Sequence, residues 1–490
     1  MVEKTGMSVV RFMLDGARIE VSVEDPTRSL LQYLREDLRR VGSKEGCAEG
    51  DCGACTVVVA EIIGAGLQYR ATNACILFLP TLDGKALFTV ESLQGDDGSL
   101  HPVQQSMVDY HGSQCGFCTP GFVMSMFALY HNNSAPTRAD IDDALSGNLC
   151  RCTGYRPIVD ACLHMYDTAR VAVDEASLVT QLRALQRECG LSLELEAAEF
   201  HAPVTLAELA ELYLQHPEAQ ILAGGTDVGL WVTKQLREIP ALIYLGNVAE
   251  LKRLDVGRDG IEVGAAVTLT DAFDEIVNHY PEFAEMFRRF ASVPVRNAGT
   301  LVGNVANGSP IGDSMPALIA VGTRVRLRRG EVQREMALED LYLDYMKNAL
   351  QAGEFIESIL VPLPDEEQHL RCYKLSKRFD QDISAVCAAF ALRLDGEQVS
   401  DICIALGGMA AIPKRASQTE QWLRGRSWDE ATVREAMDRL AAEFTPLSDM
   451  RASADYRSRA TVNLLYRFHL ETRPDKALEP AQVSVFAGTF

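Results

Sequence analysis

The spacing of the cysteines limits what this chain can fold into more than any other feature. Eight of the thirteen lie between Cys47 and Cys152, while Cys162, Cys189, Cys372, Cys387 and Cys403 are scattered. The N-terminal stretch MVEKTGMSVVRFMLDG has no apolar h-region and no small-residue cleavage site, so a cytoplasmic location is expected. In that compartment a cysteine-rich segment reads as metal binding rather than as a disulfide framework. Length and charge add two exclusions. At 490 residues the prior is about three domains. The net charge of −21 is spread along the chain, which disfavours nucleic acid and anionic membranes as partners. No stretch reaches the roughly 20 apolar residues of a membrane span, and Phe122–Tyr130 has the length of a buried helix.

Cys47, Cys52 and Cys55 follow a C-x4-C-x2-C pattern, and Cys75 comes nineteen intervening residues later. Three ligands from one loop and a fourth from further along is the plant-type spacing for a [2Fe–2S] cluster. Such a cluster is anionic and needs backbone N–H groups close to sulfur. Gly42, Gly46, Gly50 and Gly53, with Ala48 and Ala54, let the chain wrap that tightly. A tetrathiolate zinc is the alternative, but structural zinc usually pairs two short knuckles. Upstream, Asp15-Gly16 between apolar arms predicts a hairpin over 8–23. Asp25-Pro26 then reads as the start of a helix through Leu30, Leu31, Leu34 and Leu38.

The second group is Cys115-Gly-Phe-Cys118 with Cys150-Arg-Cys152. Helices are predicted from Pro102 to Tyr110, to Asn132 after Cys118, from Thr137 to Gly147 with Thr137 and Asp140 as a capping box, and from Pro157 through Ala169. Each cysteine pair therefore sits before a helix start, where the positive dipole end favours an anion. By spacing alone, zinc and an iron–sulfur centre suit these four cysteines equally. A cluster motif upstream favours iron, because paired clusters make an electron wire. Cys162 reads as a packed core thiol.

Further along, the strand Gln220–Ala223 runs into Gly224-Gly225-Thr226 and a helix from Asp227, an arrangement that presents free amides to phosphate. No G-x-G-x-x-G occurs, so a Rossmann site is unsupported. Asn297–Asn304 and Gly308–Asp313 form a second glycine-rich region. Thr205 and Glu208 read as a capping box. Paired strands around Asp395-Gly396 and helices over 428–444 and 454–470 complete the chain.

GCAEGDCGACT at 46–56, CGFCTPG at 115–121 and CRCTGYRPI at 150–158 together resemble the iron–sulfur region of the xanthine dehydrogenase/aldehyde oxidase family of molybdenum hydroxylases. The resemblance implies an α+β multidomain chain. Its parts would be a β-grasp ferredoxin-like domain over 8–92, a four-helix [2Fe–2S] domain over 93–167, a linker over 168–200, a vanillyl-alcohol-oxidase-like FAD domain over 201–365 and a small α+β C-terminal flavoprotein domain over 366–475. It also implies that Ile221, Leu222, Ala223, Gly224, Gly225, Thr226, Asp227 and Val228, with Thr300, Leu301, Val302, Gly303 and Asn304, hold the FAD pyrophosphate. Asp313 would contact the ribityl region, Phe290 would stack on a flavin ring, and Ile356 and Lys374 would line the site. From the residues alone, Phe290 is equally a core aromatic beside Phe287, and Lys374 an exposed strand cation. Gln114 matches a family glutamine near the pterin, and is otherwise a loop amide.

Within the family, the order of parts is similar to the small subunit of two-subunit bacterial enzymes acting on hypoxanthine and xanthine. The implied partners are a large molybdopterin subunit, in a heterotetramer with two of each chain, and NAD+ as acceptor. Substrate chemistry would then fall on the partner, with no catalytic residue in this chain. Other readings stay open: an aldehyde, nicotinate, carbon monoxide or aromatic-CoA enzyme of the same wiring, a freestanding iron–sulfur flavoprotein carrier, or a zinc-stapled scaffold.

Overall fold

The computed structural model describes residues 9–64, 66–95 and 97–483. The N-terminal stretch that was read for a targeting signal, and Ser8 of the expected hairpin, lie outside the described residues. The chain forms two compact units. The first comprises the described residues up to Glu250 together with Thr268–Thr270 and Ala291–Thr300, and the second the remainder up to Val483.

In the first unit Val9–Leu14 and Ala17–Ser22 pair antiparallel, with Leu14 opposite Ala17. Asp15 and Gly16 both have positive φ (53° and 72°), as a two-residue type I′ turn demands. The five-stranded sheet runs in the order Ala17–Ser22, Val9–Leu14, Ala86–Phe88, Thr56–Ile63, Gly66–Asn73, with the strands Val9–Leu14 and Ala86–Phe88 parallel. The helix that crosses this sheet is shorter than the leucine spacing predicts. It starts at Leu30 with Ser29 as N-cap in a capping box with Gln32, and continues as a π-helical turn over Tyr33–Asp37. Asp25 is not its cap, because its carboxylate accepts from the Thr27 amide in a local turn. Val10, Phe12, Leu30, Leu34, Val57 and Phe78 are fully or almost fully buried between sheet and helix.

Beyond the sheet, helices over Pro102–Asp109, Thr119–Asn132, Arg138–Ser146 and Arg156–His164 share one core. Thr137 and Asp140 cap each other as the sequence predicts. The last of these helices ends at His164, five residues before the expected Ala169. Cys162 is completely buried in it, and burial pushes its thiol up to about 12. The stretch 168–200 contains a helix, Glu175–Leu185, that buries Leu178, Leu182 and Leu185 in the same core, and a strand, Leu191–Glu194. That strand opens a four-stranded sheet ordered Leu191–Glu194, Glu199–Ala202, Ala241–Tyr244, Gln220–Leu222. Helix Leu206–Gln215 is capped by Thr205, but the Glu208 carboxylate accepts from Gly190 and Val204 instead of closing a capping box.

The second unit contains an antiparallel sheet ordered Leu254–Val256, Ile261–Gly264, Phe355–Val361, Arg324–Arg329, Val332–Ala337. A four-stranded sheet of Gln368–Leu375, Val386–Asp395, Gln398–Gly407 and Lys414–Arg415 follows. Its central hairpin turns at Gly396-Glu397, one residue later than the sequence reading, with Asp395 opposite Gln398. Helices Glu430–Glu443 and Ala454–Thr472 pack against this sheet through Val433, Leu440, Leu465 and Phe468. A further helix, Ser417–Leu423, was not anticipated. Among the described residues no helix is long and apolar enough to cross a membrane.

His101 and His131 sit in the core shared by the first sheet and the four helices, each with Nε2 buried and unpartnered. Desolvation lowers both imidazoles to about 4, so they fold neutral. Unfolded histidine binds its proton near 6.5. The stability these residues carry is therefore complete above that pH and is lost as the pH falls towards 4. By pH 5 each is expected to cost about 2 kcal/mol. Urea unfolding at pH 7.5 and 5 should show the slope, and His131→Phe should remove roughly half of it.

Candidate functional site

The loop Gly42–Cys55 folds back on itself because Ala48, Gly50 and Gly53 adopt positive φ. A Cβ at Gly46 would lie 2.8 Å from Cys52 Sγ, so only glycine leaves room beside the sulfurs. Cys55 and Cys75 bring their Sγ atoms to 3.3 Å, and the Cys52 amide points at Cys47 Sγ at 3.4 Å. Hydrogen bonds from the Cys52 and Cys75 thiols pull the Cys47 thiol far down, and those two thiols move up correspondingly. Four sulfurs this close cannot all ionise without a cation among them, which is the condition an iron–sulfur cluster satisfies. Asn73 Nδ2 lies 3.9 Å from Cys55 Sγ.

The second set lies at the starts of two helices. Cys118 is the N-cap of Thr119–Asn132, and Cys150 and Cys152 precede Arg156–His164. Cys115 and Cys152 Sγ are 3.6 Å apart, and both residues are exposed. Cys150 is buried, and its sulfur accepts from Thr153 Oγ1 at 3.2 Å and the Thr153 amide at 3.5 Å. Burial, with the Cys150 thiol beside it, raises Cys118 to about 12. Gln114 is exposed next to Cys115.

Both cysteine sets meet at one backbone crossing. The Leu149 amide donates to Cys52 O at 3.0 Å, and Asn148 Nδ2 donates to Gly53 O at 3.1 Å. Asn148 Oδ1 in turn accepts from Ser125 Oγ at 2.6 Å. Neither Asn148 nor Thr153 was picked out from the sequence. Thr153, directly after the C-x-C pair, carried a signal in its position, whereas Asn148 acts across 95 residues and carried none.

Of the residues expected at the flavin, the first unit holds Ile221 and Leu222 on a strand, Ala223–Thr226 in the following loop, Asp227 at the cap and Val228 at the start of helix Val228–Thr233. That helix stops at Thr233, short of Leu236, the end of the run DVGLWVTKQL over which the sequence predicts it. Gly224 is pressed against Ala298 and Gly299 so tightly that a Cβ there would lie 1.8 Å from Ala298 O. Thr300 pairs with Thr268 in an isolated bridge. The same loop touches the first cysteine set. Cβ positions at Gly225 and Gly229 fall 3.5 and 2.8 Å from Ile76 O, the residue after Cys75. Thr233 Oγ1 donates to Ala48 O at 2.7 Å, and Lys234 Nζ to Cys47 O.

The second unit holds Leu301–Asn304 on helix Leu301–Asn307, with Asn304 Oδ1 accepting from Ser314 Oγ at 2.5 Å. Asp313 and Lys374 are brought together. Lys374 Nζ, almost fully buried, reaches Asp313 Oδ2 at 2.5 Å, Asp382 O at 2.8 Å and Ser384 Oγ at 3.0 Å. Lys374 is thus no exposed strand cation. Asp313 Oδ1 is buried without a partner, an acceptor suited to a ligand hydroxyl. Ile356 is buried in the sheet opposite Leu327, and Phe290 meets Phe273 edge to face while its amide donates to Phe287 O at 3.1 Å. Glycine-rich phosphate loop and orphaned buried acceptor are both features that FAD could use.

These parts define an iron–sulfur flavoprotein built for electron transfer. Family comparison then gives its kind. Residues 12–78 match a 2Fe-2S iron-sulfur cluster binding domain, 89–163 a [2Fe-2S] binding domain, 195–364 an FAD binding domain in molybdopterin dehydrogenase and 371–472 a CO dehydrogenase flavoprotein C-terminal domain. The chain belongs to the molybdenum hydroxylase family and carries its iron–sulfur and flavin domains. A xanthine dehydrogenase of Emericella nidulans is 32% identical over 94% of this chain and 38% of its own length. A xanthine dehydrogenase/oxidase of Gallus gallus is 29% identical over 99% and 42%. The chain thus spans about two fifths of the curated relatives it matches. A solved carbon monoxide dehydrogenase from Hydrogenophaga pseudoflava superposes with a TM-score of 0.52 at 27% identity, over 55% of this chain and 94% of that one.

Replacing Asp313 with alanine would strand the Lys374 ammonium in the interior. The expected loss is about 3–5 kcal/mol, the usual cost of an uncompensated buried charge. Chemical denaturation checks it, and Lys374→Met in the same background should recover part of the loss.

Proposed function

We propose that this chain is the electron-transfer part of a xanthine dehydrogenase, serving a molybdenum centre that lies outside residues 1–490. When bound, the two [2Fe–2S] clusters pass electrons singly and the FAD can collect two, which suits the step from substrate oxidation to hydride transfer to NAD+. Cys115, Cys118, Cys150 and Cys152 hold the entry cluster. Cys115 and Cys152 are exposed there, on the side open to a partner. Cys47, Cys52, Cys55 and Cys75 hold the second. The observation that carries the order is the chain of short contacts: Leu149 to Cys52 links the two cysteine loops, and Ile76 links Cys75 to Gly225 and Gly229.

For the flavin, the family resemblance assigns the pyrophosphate to Ile221–Val228 and to Thr300–Asn304. Asp313, held through Oδ2 by Lys374, accepts from the ribityl region, Phe290 stacks on the ring system, and Ile356 lines it. No side chain of this chain is assigned to substrate chemistry. The partner we propose is a molybdopterin subunit, in a heterotetramer with two of each chain. The Hydrogenophaga pseudoflava enzyme, whose name refers to a molybdenum cofactor and to the absence of its Mo-pyranopterin moiety, supports the partner's class and not the stoichiometry. Nearly all of its matched chain corresponds to 55% of this one. Purine as substrate is supported by the xanthine dehydrogenase relatives. The flavoprotein match to carbon monoxide dehydrogenase favours carbon monoxide as the second reading.

The native complex, titrated anaerobically, separates these readings. Xanthine is expected to bleach cluster and flavin absorbance, and NAD+ to restore it; bleaching by carbon monoxide but not xanthine would overturn the purine assignment. Cys150→Ser should erase one of two EPR-active centres while NADH still reduces the flavin. Gly225→Val, which forces a branched side chain into positive φ (72°), should lower FAD content while iron stays at about four atoms per chain. Loss of iron in parallel with flavin would contradict separate sites.

A further inference from the structure

Strands Leu191–Glu194 and Glu199–Ala202 pair with Ser192 opposite His201 and Glu194 opposite Glu199. Their alternate residues Leu191, Leu193, Phe200 and Ala202 are buried in the core, so the four polar side chains share the other face. Helix Leu206–Gln215 ends beside that face, with His216 as its C-cap. The result is a group the electron-transfer assignment does not use. Glu199 Oε2 lies 3.5 Å from His201 Nε2 and 3.6 Å from His216 Nδ1, and all three atoms fall within 4.8 Å of one another.

We infer that Glu199, His201 and His216 form a mononuclear site for Zn2+, with water completing a tetrahedral shell. Metal–ligand bonds of about 2.0–2.1 Å at tetrahedral angles place ligand atoms about 3.3 Å apart, close to both measured spacings. His201 is nine-tenths buried and its Nε2 makes no hydrogen bond, an expensive state for an imidazole nitrogen unless something binds it. Its other nitrogen is already fixed, with Ser192 Oγ 2.9 Å from Nδ1, the outer contact that orients a ligating histidine. Two further features favour a cation. Glu194 and Glu199 face each other as like charges, and the helix C-terminus at His216 presents the negative end of its dipole. Glu199 and His216 are partly exposed, which leaves an entry path and room for the water. This site would use only nitrogen and oxygen ligands, and it would tie the helix end to the hairpin.

The test uses the full chain with clusters and FAD in place, titrated with ZnCl2 against a chromophoric chelator. One saturable equivalent is expected, with a zinc-edge absorption spectrum of nitrogen and oxygen neighbours only. His216→Ala should weaken that equivalent at least tenfold, and Ser192→Ala by about 10–100-fold, the usual cost of losing an outer-shell partner. Iron and FAD contents should not change in either variant. No saturable equivalent, sulfur neighbours at the zinc edge, or an equivalent undiminished in His216→Ala would overturn the assignment.

Discussion

The crossing of the two cysteine loops at Gly53 is the contact on which the iron–sulfur half depends. A Cβ on Gly53 would sit 2.2 Å from Gly147 O, and one on Gly121 would sit 2.1 Å from Gly53 O. Both positions must be glycine for the backbones to touch. That closeness lets Asn148 and Leu149 donate to Gly53 and Cys52, so two loops nearly a hundred residues apart share hydrogen bonds. Electron transfer needs short separations rather than special side chains, and here glycine supplies them. The same logic recurs at Gly224 and Gly229, where a missing side chain brings a phosphate-type loop against Ala298 and Ile76.

Charge is handled differently in the two units. In the first, closely set thiols shift one another strongly through the hydrogen bonds between them. In the second, Lys374 is buried with Asp313, Ser384 and a backbone carbonyl around it. A buried pair of this kind contributes little net stability against an apolar replacement, yet breaking it is costly. Its value lies in holding the Asp313 carboxyl group in a fixed place with Oδ1 still without a partner.

Much of this was legible in the sequence because it is local. Asp15-Gly16, the Thr137 and Asp140 capping box, and the helix after Cys118 all follow from short-range chemistry, and each appears in the fold. Local signals failed where tertiary contacts compete. Ser29 caps the helix assigned to Asp25, and Glu208 abandons its capping box because Gly190 and Val204 offer better-placed amides. In 168–200 the helical spacing of Leu178, Leu182 and Leu185 does give a helix, but the reading of the stretch as a linker fails because those side chains find a core formed by segments far away in the chain.

By itself, the sequence determined the two sets of four cysteines, the glycines that let sulfur and backbone approach, and with them the family. Ligand type and spacing are properties of neighbouring residues, so they survive in one dimension. Only the tertiary structure decided which loops cross, that Lys374 is buried against Asp313, and that Glu199, His201 and His216 converge. Those facts depend on strand register and helix placement, which are set by the packing of whole apolar faces and not by any short run of residues.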